Sequence, residues 1–259
     1  MRAFQTDNGG LRVALGGRGP LIIFNHALGP LAWGDLSRLE ADFTVAIPDW
    51  VASDYDHAAR AALDWFGVLC SELGVTQAAL CVWSMAGPAG IRFAARQPDN
   101  LSHLVLVDVA GLSDALPPLE WKDVPHLVMS RLRGYPTRGM VRAMWRSWVL
   151  PGLQTSELEE ATYQFFRGQR KQRPGPQGTE EPPLLDALSL ISVPVLVLGG
   201  RHSAVLGPVL ARSVSGHLDR ADVVIFERSS HALQLEEPEK FQQVMASWLD
   251  RVTTDAPRR

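Results

Sequence analysis

Three side chains far apart along the chain have the types that acyl-transfer chemistry uses. Ser84 sits in Val82-Trp83-Ser84-Met85-Ala86-Gly87, after the apolar run 78–82 and before a stretch rich in small residues. A serine on a tight strand-to-helix turn projects its hydroxyl out of the sheet. The first N–H groups of the helix then face the place where an oxyanion would form. The bland alternative is a serine that only caps a core helix. His231, in Glu227-Arg228-Ser229-Ser230-His231-Ala232, follows the last apolar run and precedes an amphipathic stretch. A histidine on such a loop can take the serine's proton, although with seven histidines in the chain one could fall there by chance. A third segment, Phe24-Asn25-His26-Ala27-Leu28-Gly29, closes an apolar strand and opens a loop. It can lend a backbone N–H to an oxyanion, so Leu28 (or its neighbour Ala27) and Met85 are the expected donors. The His26 side chain is read as a histidine bonded to backbone, at the edge of the pocket.

The elements that would position these groups are legible as a rhythm. Apolar runs occur at 11–15, 21–24, 44–47, 78–82, 104–107, 193–198 and 223–226. They are rich in Val, Ile and Leu with little polar alternation, as in parallel strands covered on both faces. Helical periodicity fills the gaps. Ala62, Phe66, Leu69, Cys70 and Leu73 share one face of 57–73, with Gly74 as a stop. Pro238 opens a helix over 238–252, and a short helix is expected over 33–39. Alternating strands and helices imply a doubly wound sheet. Residues 112–186 break the pattern, with helical patches at 123–132, 138–148 and 156–168 and a Pro/Gly-rich loop at 173–183. The expectation is a core of 1–111 and 187–259 with a helical lid over 112–186; the rival is a connection that only covers the sheet edge.

Composition narrows the class. The 259 residues are 46% apolar, enough for a large core in one α/β domain. A net charge of −3 and no Lys/Arg cluster give no footprint for nucleic acid. Two cysteines, Cys70 and Cys81, each lie in an apolar run, so no disulfide framework is expected. There is no secretory h-region near Met1 and no run of about 18 apolar residues. A cytoplasmic location with no membrane partner is therefore expected. No His/Cys/Asp cluster has ligand spacing, and no metal or cofactor is expected. Oligomeric state stays open, a homodimer among the options.

Taken in order, these segments resemble the α/β-hydrolase superfamily over the whole chain apart from 112–186. "VWSMAG" resembles its "GHSMGG", and "FNHALG" its oxyanion-loop "HG". "VPVLVLGGRHS" resembles "VPVLVLGGEHD", and "SSHALQLEEPEKF" its terminal "GHxxxxExPxxF". "FNHALGPLAWGDL" is similar to the loop of enol-lactonase-type hydrolases. The resemblance implies a doubly wound, mostly parallel eight-stranded sheet with a helical lid. Two departures matter. Val82 stands where the elbow usually has glycine, so the turn is distorted or its neighbours are unusually small. Ser203 stands where the family's acid usually does, and a serine cannot supply that charge. Either the acid lies elsewhere or the enzyme manages without one. Asp108 is the best alternative: it ends the 104–107 strand, at the edge where Ser84 emerges. Certain haloalkane dehalogenases and cofactor-independent quinolone dioxygenases place an acid there. Asp108 could instead cap the next segment through Gly111 or Ser113.

The functional expectation is hydrolysis of an ester, lactone or thioester, with Ser84 as nucleophile, His231 as base and Asp108 orienting it. His26, Trp50, Trp83, Trp145 and Trp148 are expected around an apolar pocket that takes a small apolar or aromatic substrate. One rival keeps the fold and lets His231 with Asp108 act as base in oxygenation, isomerisation or C–C cleavage. Another is a decayed site retained as a binding module.

Overall fold

The sheet has eight strands: β1 (Arg2–Thr6), β2 (Gly9–Gly17), β3 (Leu21–Asn25), β4 (Thr44–Pro48), β5 (Ala78–Trp83), β6 (Leu101–Val107), β7 (Val195–Gly200) and β8 (Ala221–Phe226). Their spatial order is β1-β2-β4-β3-β5-β6-β7-β8. The β1–β2 and β2–β4 pairs are antiparallel, and every later pair is parallel. This computed structural model describes residues 1–6, 9–50, 63–96, 98–112, 121–153, 155–169 and 183–254.

Burial follows from the apolar runs. Every residue of β3, β5 and β7 is buried, so both sheet faces are covered. Along β3, Leu21 and Ile23 enter one core with Leu80, Val82, Leu104 and Val197, while Ile22 and Phe24 enter a second with Cys81, Val105 and Leu198. That period of two is the strand's own geometry. Cys70 and Cys81 are buried free thiols. The edge strand β1 escapes the reading of apolar runs because Arg2 and Gln5 interrupt it around the buried Phe4.

The described helices are α1 (Trp65–Glu72), α2 (Gly87–Arg96), α3 (Val124–Arg133), α4 (Arg138–Trp148), α5 (Ser156–Gln169), α6 (Leu184–Leu188), α7 (Pro208–Ser215), α8 (Leu233–Glu236) and α9 (Pro238–Thr254). Residues 57–62 of the helix expected over 57–73 lie outside the described residues, as does the loop 173–182. Helices α3–α6 fall between β6 and β7, where the sequence pattern loses its strands. Thr137 caps α4 by accepting the Met140 N–H at 3.1 Å. The helix expected over 33–39 is absent. Two 3-10 turns, Gly29–Ala32 and Leu39–Ala41, flank that stretch. Between them Gly34 adopts φ +64 and the Asp35 carboxylate accepts the Ser37 N–H at 2.9 Å, an Asx turn that competes with helix.

Candidate active site

Strand β5 delivers Ser84 at its carboxyl end, in a 3-10 turn (Ser84–Ala86) that runs into α2. Ser84 has φ +53, a conformation that costs a side-chain-bearing residue about 1–3 kcal/mol and persists only where its surroundings enforce it. Here the Ala110 N–H donates to the Ser84 carbonyl at 3.0 Å. Space for the turn comes from two glycines of α2: a Cβ on Gly90 would run into the Val82 methyls, and one on Gly87 into Val109. Valine fits the elbow because its neighbour across the turn has no side chain.

Neighbouring strands bring the other two groups to the same edge. Asp108 follows β6, fixed by its N–H donating to the Leu198 carbonyl at 2.8 Å. His231 sits on the loop after β8, its N–H donating to the Trp148 carbonyl at 2.9 Å and its carbonyl accepting the Trp83 indole N–H at 2.9 Å. The side chains meet in a row. His231 Nε2 lies 2.9 Å from Ser84 Oγ, and His231 Nδ1 lies 2.8 Å from Asp108 Oδ1. All three residues are buried.

Asp108 is a full acceptor. Beyond His231 it takes the Gly200 N–H on Oδ2 at 3.0 Å, and on Oδ1 the Ser203 hydroxyl at 2.7 Å and the Leu206 N–H at 3.2 Å. Ser203 Oγ in turn accepts the N–H groups of Val205 and Leu206. Its own proton is thereby committed to Asp108. The serine at the usual acid position is thus a hydrogen-bond donor to the acid one strand away. No Asp108 side-chain bond runs to Gly111, and Ser113 lies outside the described residues.

Glu236 was not singled out by sequence reasoning, although it is the glutamate of "GHxxxxExPxxF". Its two oxygens accept the N–H groups of Leu150 and Ser230, both at 2.7 Å, tying the loop after α4 to the His231 loop. Burial raises its carboxyl above the usual carboxylate range.

A narrow cleft opens over Ser84, lined by His26, Leu28, Trp83, Met85, Trp145, Trp148 and His231. Helix α5 adds Thr162, Phe165 and Phe166. Trp83 and Trp148 stand 5.4 and 5.3 Å from the His231 ring, and Trp145 donates its indole N–H to Thr162 Oγ1 at 3.1 Å. His26 lies against Trp83 at 4.5 Å, and its Nδ1 accepts the Leu28 N–H at 3.3 Å. Burial, with His231 nearby, pushes His26 down to about 3. The ring is therefore neutral near pH 7, and the bond from Leu28 assigns its proton to Nε2. The Leu28 N–H is held by a long bond that a charged acceptor can replace. Met85 follows Ser84 in the first turn, where N–H groups precede intrahelical partners.

Two expected pocket residues sit elsewhere. Trp50 is no part of the cleft lining: it is buried in the opposite core, 5.3 Å from Trp65, and its indole N–H donates to Asn25 Oδ1 at 3.0 Å. Being next to a strand end did not decide which sheet face its ring takes. Ala27 is half-buried and absent from the lining, which leaves Leu28 as the candidate donor of this loop at the cleft. Among the described residues no group of three or more His, Cys, Asp or Glu side chains could hold a metal ion.

A strained serine on a strand-to-helix turn, in an eight-stranded sheet of this order, defines a class. The alpha/beta hydrolase family model matches residues 21–244, and the chain belongs to that family. Particular relatives sharpen the picture. An AB hydrolase superfamily protein of Bacillus subtilis, YclE, is 42% identical over 69 residues, a match covering 26% of this chain and only 25% of that protein. A pimeloyl-[acyl-carrier protein] methyl ester esterase of Vibrio vulnificus is 24% identical over 245 residues, covering 87% of this chain and 92% of that one. Among solved structures, the enol-lactonase of Burkholderia xenovorans superposes with a TM-score of 0.71 at 20% identity, covering 96% of this chain and all of that one, a likeness of fold. The chain is thus an enzyme of the α/β-hydrolase family, akin to esterases.

Proposed function

We propose that this protein is a serine hydrolase acting on an ester, lactone or thioester whose acyl part is small and apolar or aromatic. One observation carries the proposal: the unbroken row Ser84 Oγ–His231 Nε2, His231 Nδ1–Asp108 Oδ1, at 2.9 and 2.8 Å beneath an apolar cleft. In the proposed reaction Ser84 Oγ attacks the carbonyl carbon as His231 takes its proton, and the carbonyl oxygen becomes an oxyanion held by the Met85 and Leu28 N–H groups. The imidazolium hands its proton to the leaving alkoxide or thiolate, giving the acyl-enzyme. Water, deprotonated by His231, then releases the acid and restores Ser84. Asp108 orients the ring and stabilises its cationic form. Residues 112–186 act as a lid whose aromatic side chains select the acyl group.

The aromatic rings beside His231 favour a second reading, in which His231 and Asp108 deprotonate a bound aromatic substrate and Ser84 only hydrogen-bonds to it. A panel of aryl esters, lactones, acyl thioesters and long-chain methyl esters separates the two. The hydrolase reading expects turnover of at least one class, lost in both Ser84→Ala and His231→Ala. Turnover that survives Ser84→Ala but not His231→Ala supports the second reading.

A further inference from the structure

Helix α3 wears its apolar side outward, the reverse of an ordinary surface helix. Val124, Val128 and Leu132 recur at i, i+4 and i+8, and Trp121 extends the row in the 3-10 turn just before. Trp121 is 91% exposed, Leu132 77% and Val128 54%. At about 3.6 residues per turn, Asp123 and Ser130 fall on the opposite side, and these polar residues are only 4% and 8% exposed. Hydrogen bonds hold that inner side. Arg146 donates to both Asp123 oxygens at 2.9 and 2.7 Å, and Ser130 Oγ donates to the His126 carbonyl and accepts the Thr137 N–H. The helix is docked through polar groups, with its apolar row left to solvent. Arg131 lies beside the row and Arg133 farther round the helix, both exposed, and the one acid of 121–133 is the buried, paired Asp123.

We propose that α3 seats the protein on an anionic lipid surface. Trp121, Val128 and Leu132 enter the boundary between headgroups and acyl chains, and Arg131 and Arg133 pair with the headgroups. A tryptophan ending an apolar row beside arginine is the pattern of an interfacial anchor. A second copy fits less well, because a two-fold contact through this stripe would bring Arg131 of each copy toward the other with no exposed acid of 121–133 to pair with it. The expected lack of a membrane partner rested on the lack of a spanning segment. Among the described residues no helix is long and apolar enough to cross a membrane, and lying in the interface makes no such demand.

Flotation of the full-length protein with phosphatidylglycerol or phosphatidylcholine vesicles tests the proposal, with melting curves and sedimentation velocity as controls. The expected result is co-flotation with phosphatidylglycerol alone, weakened by salt. Leu132→Glu and the pair Arg131→Glu, Arg133→Glu should each weaken it about tenfold or more, with melting unchanged. Absence of wild-type flotation, or equal flotation of Leu132→Glu, overturns the proposal. So does a dimer that Leu132→Glu dissolves, which would assign the stripe to a second copy.

Discussion

At the scale of single residues, the acid is the informative case. The sequence shows an absence, Ser203 where an acid is usual, and a candidate, Asp108, at the right strand end. What it could not show is that the two are bonded, because their contact spans 95 positions and depends on how β6 and β7 lie side by side. Asp108→Asn keeps the packing but offers His231 an amide, so kcat should fall about ten-thousandfold. Ser203→Ala removes one charge-assisted donor from the oxygen that faces His231, and turnover should drop roughly tenfold. Ser203→Thr, which keeps the hydroxyl, should restore the rate. Unchanged turnover in Ser203→Ala would reduce the serine to a packing role. The Thr162 and Glu236 contributions were illegible for the same reason: each depends on a partner from another element.

At the scale of elements, the elbow was readable from small residues, and its valine became intelligible only with the structure. Gly90 leaves the space that Val82 fills. Gly90→Ala should therefore cost about 1–3 kcal/mol by crowding, and clearly less in a Val82→Ala background, a coupling that denaturation of the four variants measures. Equal cost in both backgrounds would separate the two residues. The helices at 124–133, 138–148 and 156–169 follow their sequence periodicity closely, because each carries its own apolar repeat. The stretch 33–39 failed for a local reason: Leu36 and Leu39 have helical spacing, but Gly34 and the Asp35 turn bend the chain first. Trp50 failed for a tertiary one, since a loop after β4 directs its ring into the opposite core.

At the scale of the whole molecule, the doubly wound sheet was legible from its near-continuous apolar strands, and only the polar-interrupted edge strand β1 was hidden. The core also holds titratable groups that set its acid stability. Burial lowers His26 from 6.5 to about 3 and His103 from 6.5 to about 4. Between those values and 6.5 the unfolded chain binds more protons than the folded one, so stability falls as pH drops through that window. Glu236, raised by burial, acts the other way: the folded state holds its proton longer, which partly offsets the loss at the lower end. Melting temperatures should therefore decline from pH 6.5 toward 4, and less steeply in His103→Gln. A flat profile would contradict this account of the buried His26 and the half-buried His103.

The whole account turns on Ser84 being a nucleophile that His231 activates, and covalent capture tests that directly. Incubation with a fluorophosphonate followed by intact-mass and peptide analysis should give one adduct on Ser84, absent in Ser84→Ala and formed far more slowly in His231→Ala. A folded wild-type protein that takes no label, or Ser84→Ala labelled to the same extent, would contradict it.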